Sequence, residues 1–140
     1  MPDGVLDGLS IERSTAFFQE RLSQTRGQVF VAEDGGRIVG FCDLIPSRDK
    51  NVDPDGVAEI AAIYVLPEHW RKGAGRVLCR GALAEAGRRG YRSVTLWVLA
   101  SNRAARDFYD AMGFRLDGAT KADKLVDGSP LHEVRFRIAL

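Results

Sequence analysis

The stretch PEHWRKGAGRVL, Pro67 to Leu78, sets Arg71, Lys72 and Arg76 around Gly73 and Gly75, after an apolar run and before a helical pattern. The first amides of a helix have no intrahelical acceptor and its amino end is positive. Residues without a Cβ let an anionic oxygen reach such amides. Three phosphate-binding loops compete for the segment. A Walker loop needs GxxxxGK[ST], which is absent. A dinucleotide fingerprint needs a third glycine where Leu78 stands, and an acidic residue after the next strand, where Leu99, Ala100 and Ser101 stand. A pyrophosphate cradle built from successive backbone amides fits. The loop alone leaves that reading beside a plainer one, a strand-to-helix turn with solvated cations.

Glu59 is the second residue with chemistry in it, a lone carboxylate in the apolar run VAEIAAIYVL (57–66). Burying it is costly unless it is paired or meets water. An alkylamine, with a pKa near ~10, must lose a proton before it attacks, and a carboxylate lining a cleft can take that proton. A Glu at a wet strand end, or one in a structural pair, explains the residue as well. Tyr109 and Asn102 in NRAARDFYDAMGF (102–114) read first as a packed helix tyrosine beside Ala105 and Met112, and as an N-cap. Tyr64 and Trp97 read as core or cleft wall. Asp49, Asp53 and Asp55 read as solvated loop carboxylates able to attract a cationic amine, and Arg88-Arg89 as a helix-end charge interaction.

The elements that must hold these residues follow from pattern. Ile11 to Leu22 is amphipathic, with Ser10 as its N-cap candidate. QVFVAEDGGRIVGFCDLI has two apolar runs around Asp34-Gly35-Gly36, a hairpin. PSRDKNVDPDG (46–56) is a polar loop, and 57–66 is a strand covered on both faces. Gly73 to Arg89 is a helix with Leu78, Cys79, Ala82, Leu83 and Ala86 on one face, stopped by Gly90. SVTLWVLA (93–100) is a buried strand. Arg103 to Met112 is a helix capped by Asn102 or Ser101 and stopped by Gly113, and two last strands are joined by a polar loop over 120–130. The order α, hairpin, β, α, β, α, β, β is a single mixed α/β domain over 1–140.

The chain of 140 residues is long enough for one core, and its 45% hydrophobic and 28% charged residues are those of a soluble globular protein. A net charge of +1 gives no global field for nucleic acid. Cys42 and Cys79 lie far apart without a CxxC, as reduced core residues of a cytoplasmic protein do, and the two histidines, His69 and His132, suggest no metal site. The start lacks a secretion pattern, and no run approaches the ~20 apolar residues of a membrane span.

A strand leading into RKGAG, followed by N-x-x-A-x-x-F-Y-x-x-x-G-F in NRAARDFYDAMGF, resembles the GNAT superfamily of acetyl-CoA-dependent N-acetyltransferases. The resemblance covers roughly residues 28 to 140. It departs at Trp70, which holds the usual Gln/Arg position of the loop, with Arg71 adjacent. It implies a mixed α/β GNAT-like N-acyltransferase fold with a V-shaped opening between the signature strand and the next. Backbone groups of Ile63, Tyr64 and Val65 would pair with the pantetheine arm. The pyrophosphate would sit on the amides of Arg71, Lys72, Gly73, Ala74, Gly75 and Arg76, with Asn102, Ala105 and Tyr109 at the cofactor arm. Tyr109 would protonate the departing sulfur, and Glu59, in Ala58-Glu59-Ile60, would be the base.

The implied reaction is direct acetyl transfer from acetyl-CoA, a cosubstrate, to a primary amine of a small molecule or protein. It needs no metal, nucleic acid or membrane. The alternative is a catalytically silent acyl-CoA-binding module. Only residues 1–27 precede Gln28, so the usual first strand and first helix are expected to be missing. Either the domain is abbreviated or its start lies within a longer natural protein. A homodimer that covers the sheet edge or completes the acceptor site is expected. The acceptor's identity is not legible, because its pocket falls to the first helix and the 46–56 and 120–130 loops.

Overall fold

A computed structural model describes residues 9–10, 27–70 and 72–140. Seven strands form one mixed sheet: β1 (Leu9–Ser10), β2 (Gln28–Asp34), β3 (Arg37–Pro46), β4 (Val57–Val65), β5 (Ser93–Leu99), β6 (Arg115–Lys124) and β7 (Pro130–Ala139), in spatial order β1-β2-β3-β4-β5-β7-β6. Two helices, α1 (Ala74–Arg88) and α2 (Arg103–Ala111), join β4 to β5 and β5 to β6. The expected helix over Ile11 to Leu22 lies outside the described residues, and Ser10 itself stands in β1. At that side of the sheet only the two-residue β1 pairs with β2, Leu9 opposite Asp34 and Ser10 opposite Glu33.

The β2–β3 hairpin turns through Gly35 and Gly36, both at positive φ (60° and 82°), so the connection matches the twist of the strands it joins. β4 and β5 are the one parallel pair among the described strands, and their ladder has four rungs, Val57–Ser93 to Ile60–Leu96. Beyond Ile60 the two strands part. Burial follows: Val57 to Ile60 are buried, whereas Ala62 and Tyr64 become exposed. At the same level β4 carries one extra residue against β3, because Asp43 faces Ala62 while the next residue, Leu44, faces Ile60. A bulge at Ala61 thus marks the parting.

Both helices lie on one face. From α1, Ala74, Leu78, Cys79, Ala82 and Ala86 join Cys42, Leu44, Ala58 and Ile60 in the core, which continues through Leu96, Tyr109, Phe114 and Phe136. The opposite face carries Asp43, Glu59, Thr95 and Trp97, by the two-residue alternation of strands whose neighbours point into the core. The expected loop over 120–130 is a correction: β6 runs to Lys124 and β7 starts at Pro130, leaving only Leu125 to Ser129 between them. β6 is an outer strand exposed on both sides, so it lacks the apolar alternation by which a strand is read.

Candidate active site

The opening between β4 and β5 is lined by backbone as much as by side chains. Leu66 donates its amide to the Val39 carbonyl at 2.8 Å. Along an antiparallel ladder the backbone groups of successive residues alternate in direction, so those of Val65 and Ile63 turn away from β3 into the opening. Those of Tyr64 turn toward β3, opposite Phe41. Of the three backbone positions expected from the sequence, two face the opening. The Tyr64 ring stands on the exposed face, its centroid 6.2 Å from that of Phe41.

Trp70 departs from the family pattern, and its place is specific. The side chain is exposed, yet its indole Nε1 donates to the Val65 carbonyl at 2.7 Å. It therefore ties the β4–α1 loop back to the end of β4. Arg71 lies outside the described residues; Lys72 and Arg76 are exposed.

Gly73 is the N-cap of α1 with φ +90°, a conformation nearly closed to other residues, and no side chain caps this end. The first intrahelical bond runs from the Val77 amide to the Gly73 carbonyl at 3.0 Å. The amides of Ala74, Gly75 and Arg76 thus head the helix without intrahelical acceptors. A methyl on Gly75 would meet Phe108 of α2 at 3.4 Å, ordinary contact, so the glycine is not demanded by packing there.

Helix α2 starts at Asn102, whose Oδ1 accepts from the Ala105 amide at 3.1 Å. This confirms the cap and sets the pitch of Ala105 and Tyr109. Tyr109 is 7% exposed. Its ring packs edge-on against Phe108 at 5.2 Å and Phe114 at 5.8 Å. Burial raises its hydroxyl well above the ordinary tyrosine value, with the Cys79 and Cys42 thiols acting the same way. Burial likewise pushes the Cys79 thiol up to about 12 and raises Cys42, so both stay protonated core residues.

On the other face Glu59 is 2% exposed. Its Oε1 accepts from the Arg48 amide at 3.0 Å and its Oε2 from the Arg48 guanidinium at 2.7 Å. The 46–56 loop is thereby pinned to β4. Asp49, read as solvated, is instead enclosed. It accepts from Trp97 Nε1 at 3.0 Å and from Arg135 at 3.1 Å, with the Lys121 ammonium 3.8 Å away and stacked 4.0 Å above the Trp97 ring. Asp117, in a bulge of β6, accepts from Arg135 at 2.7 Å and Arg137 at 3.2 Å. Burial works against its ionisation, but the Ala119 amide and the two arginines outweigh it and hold the carboxyl below its usual value. Asp53 pairs with Arg92 at 3.4 Å, while Arg88 and Arg89 both reach Glu85.

Sequence reasoning passed over one residue of this face. Asp43 in FCDLI is a lone carboxylate in an apolar strand, the same signal that singled out Glu59. A separate cleft of about 570 Å³, lined in part by Arg103, Arg106, Asp110 and Arg115, includes no residue of β4, α1 or the loop between them. Its lining mixes Leu116 and Phe136 with the exposed Arg115–Asp110 pair at 3.1 Å and with Arg106, which donates to the Ala100 carbonyl at 2.8 Å, and holds no buried carboxylate. Among the described residues no cluster of His, Cys, Asp or Glu could hold a metal, and no helix is long and apolar enough to cross a membrane.

The comparisons agree with this geometry. Residues 5–114 match the family model described as acetyltransferase (GNAT) family. Over 117 residues the chain is 32% identical to an uncharacterized N-acetyltransferase of Mycobacterium bovis, covering 84% of this chain and 71% of that one. The ribosomal-protein-alanine N-acetyltransferase structure from Brucella melitensis shares the fold, with TM-score 0.76 and 24% identity over 89% of this chain and 76% of that one. A GNAT family acetyltransferase from Elizabethkingia anophelis with acetyl-CoA bound superposes with TM-score 0.66 and 19% identity, over 95% and 93% of the two chains. The match over most of the chain and the relative at 32% identity place it: the chain belongs to the acetyltransferase (GNAT) family.

Proposed function

We propose that the protein moves the acetyl group of acetyl-CoA to a primary amine, directly, in a ternary complex. The observation that carries the proposal is the parting of β4 from β5 after four rungs beside the uncapped start of α1. The backbone groups of Ile63 and the amide of Val65, whose carbonyl already accepts from Trp70, offer a strand edge suited to a pantetheine arm. The amides of Ala74, Gly75 and Arg76, with the charges of Arg71, Lys72 and Arg76, suit a pyrophosphate. Asn102 and Ala105 hold α2 so that Tyr109 stands behind the opening.

In the proposed reaction the amine nitrogen bonds to the thioester carbonyl carbon and the carbon–sulfur bond breaks. The Val65 amide stabilises the developing charge on the carbonyl oxygen. The Tyr109 phenol gives its proton to the departing sulfur, and the amine's proton leaves toward the carboxylates of the opposite face, of which Glu59 is the one singled out by sequence. We place the activity in the cytoplasm and in a homodimer. A clean monomer in light scattering rules the dimer out.

The test is free-thiol release from acetyl-CoA with a panel of primary amines. Amine-dependent release supports the proposal. Tight acetyl-CoA binding by titration calorimetry, without thiol release for any amine, favours a silent acyl-CoA-binding module instead.

A further inference from the structure

The face of the sheet turned away from α1 and α2 holds a buried carboxylate oxygen with no hydrogen bond. Asp43 Oδ1 is closed to solvent and has no hydrogen-bond partner; among the described residues it is alone in this. Buried polar atoms are nearly always bonded, because an orphaned one forfeits its hydration without return. Such an atom calls for an explanation, and a catalytic use is one that can be tested.

Its position names the use. Asp43 sits on β3 directly opposite Ala62, one residue past the Ala61 bulge and within the part of β4 that has left β5. Directly paired residues have Cβ atoms roughly 5 Å apart. Ala62 adds only a methyl and is exposed, so the approach beside Asp43 is not blocked from that side. Asp43 projects to the same face as Glu59, Trp97 and the Asp49 cluster, the face that neither α1 nor α2 covers. Glu59 already accepts from Arg48 with both oxygens. A carboxylate so occupied is a poor landing place for a proton, whereas Asp43 has an unused lone pair.

We propose that Asp43 is the carboxylate that takes the proton from the attacking amine, and that the Arg48–Glu59 pair acts as its positioning partner. The inference rests on the amine-acetylating reading above. The amine nitrogen's lone pair forms the new carbon–nitrogen bond, its N–H proton goes to Asp43 and leaves the bonding pair on nitrogen, and the carbon–sulfur pair departs on sulfur, which takes the Tyr109 proton. Asp43 later returns its proton to solvent and Tyr109 regains one, so the chain ends unchanged. The electrostatics suit this role. Burial raises the Asp43 carboxyl above its ordinary value, Arg48 opposes the shift and Glu59 adds to it, and a raised carboxyl is the stronger base.

Three proteins decide the matter: wild type, Asp43→Asn and Glu59→Gln. Each is assayed by thiol release against the amine panel across pH, by acetyl-CoA titration and by thermal melting. D43N is expected to lose roughly 10²- to 10³-fold in kcat and the acid limb of its pH profile. It should bind acetyl-CoA within about twofold of wild type and melt no earlier, since the buried Oδ1 has no hydrogen bond to lose. E59Q should keep an acid limb but shift it to lower pH, because the charge that raises Asp43 is absent. A D43N enzyme with wild-type kcat and an intact acid limb overturns the assignment alone. A D43N protein that no longer binds acetyl-CoA also overturns it, making Asp43 structural. Wild type that releases thiol with no amine overturns the function and this inference together.

Discussion

Arg48 holds both oxygens of Glu59, one through its backbone amide at 3.0 Å and one through its guanidinium at 2.7 Å. The carboxylate is buried while the guanidinium is largely exposed, so the arginine is the solvated end of the pair. Replacing Arg48 with Ala leaves Glu59 with its amide bond only. Unfolding in urea should show a loss of roughly 1–3 kcal/mol, the usual cost of orphaning a buried acceptor. A change under 0.5 kcal/mol means that water replaces the guanidinium.

Tyr109→Phe removes the hydroxyl and keeps the ring in its aromatic cluster. Turnover should fall by roughly 10²-fold while acetyl-CoA affinity is unchanged. Unchanged turnover removes Tyr109 from the acid role.

The raised Tyr109 hydroxyl has a signed pH consequence. The phenol stays protonated in the folded enzyme, so no alkaline loss of kcat from Tyr109 is expected below pH ~10. Above that value the unfolded chain ionises where the folded one does not, and stability falls as pH rises. Thermal melts at rising pH should show the loss in wild type and less of it in Y109F.

The two loop glycines should separate. Gly73→Ala forces an alanine into φ +90° and should cost about 1–2 kcal/mol of stability along with acetyl-CoA affinity. Gly75→Ala meets Phe108 and Val65 at ordinary contact distance, so melting should barely move while acetyl-CoA binding weakens. Unaltered affinity in Gly75→Ala argues against the cradle at that amide.

Trp70→Phe deletes the bond from the indole to the Val65 carbonyl and keeps an aromatic ring. One hydrogen bond of about 1 kcal/mol is at stake. Calorimetry should give a several-fold weaker acetyl-CoA affinity; an unchanged value would mean the loop keeps its form without Trp70.

Much of the fold was legible because it rests on local signals. Asp34-Gly35-Gly36 dictated its turn, and Gly90 and Gly113, both at positive φ, stopped their helices within a residue of the expected place. The site was legible where a motif carried it, as in the Asn102 cap. It was illegible where distant segments meet. Asp49 in a polar loop gives no hint that Trp97 and Arg135 will enclose it, since those contacts span 48 and 86 residues of chain. Asp43 could have been read from its own strand, but only the register beside the Ala61 bulge places it opposite Ala62, where β4 has left β5.

A strand that leaves its neighbour midway gives the sheet a raw edge in its interior. Free edges invite other strands to pair, and this one is sheltered only by the divergence of its two walls. A pantetheine arm laid along Ile63 and Val65 would act as a short foreign strand that finishes the sheet, the small-molecule counterpart of β-strand addition. Amide exchange should then divide β4: Val57 to Ile60 and Tyr64 slow at all times, and the Ile63 and Val65 amides slow only once the arm is in place.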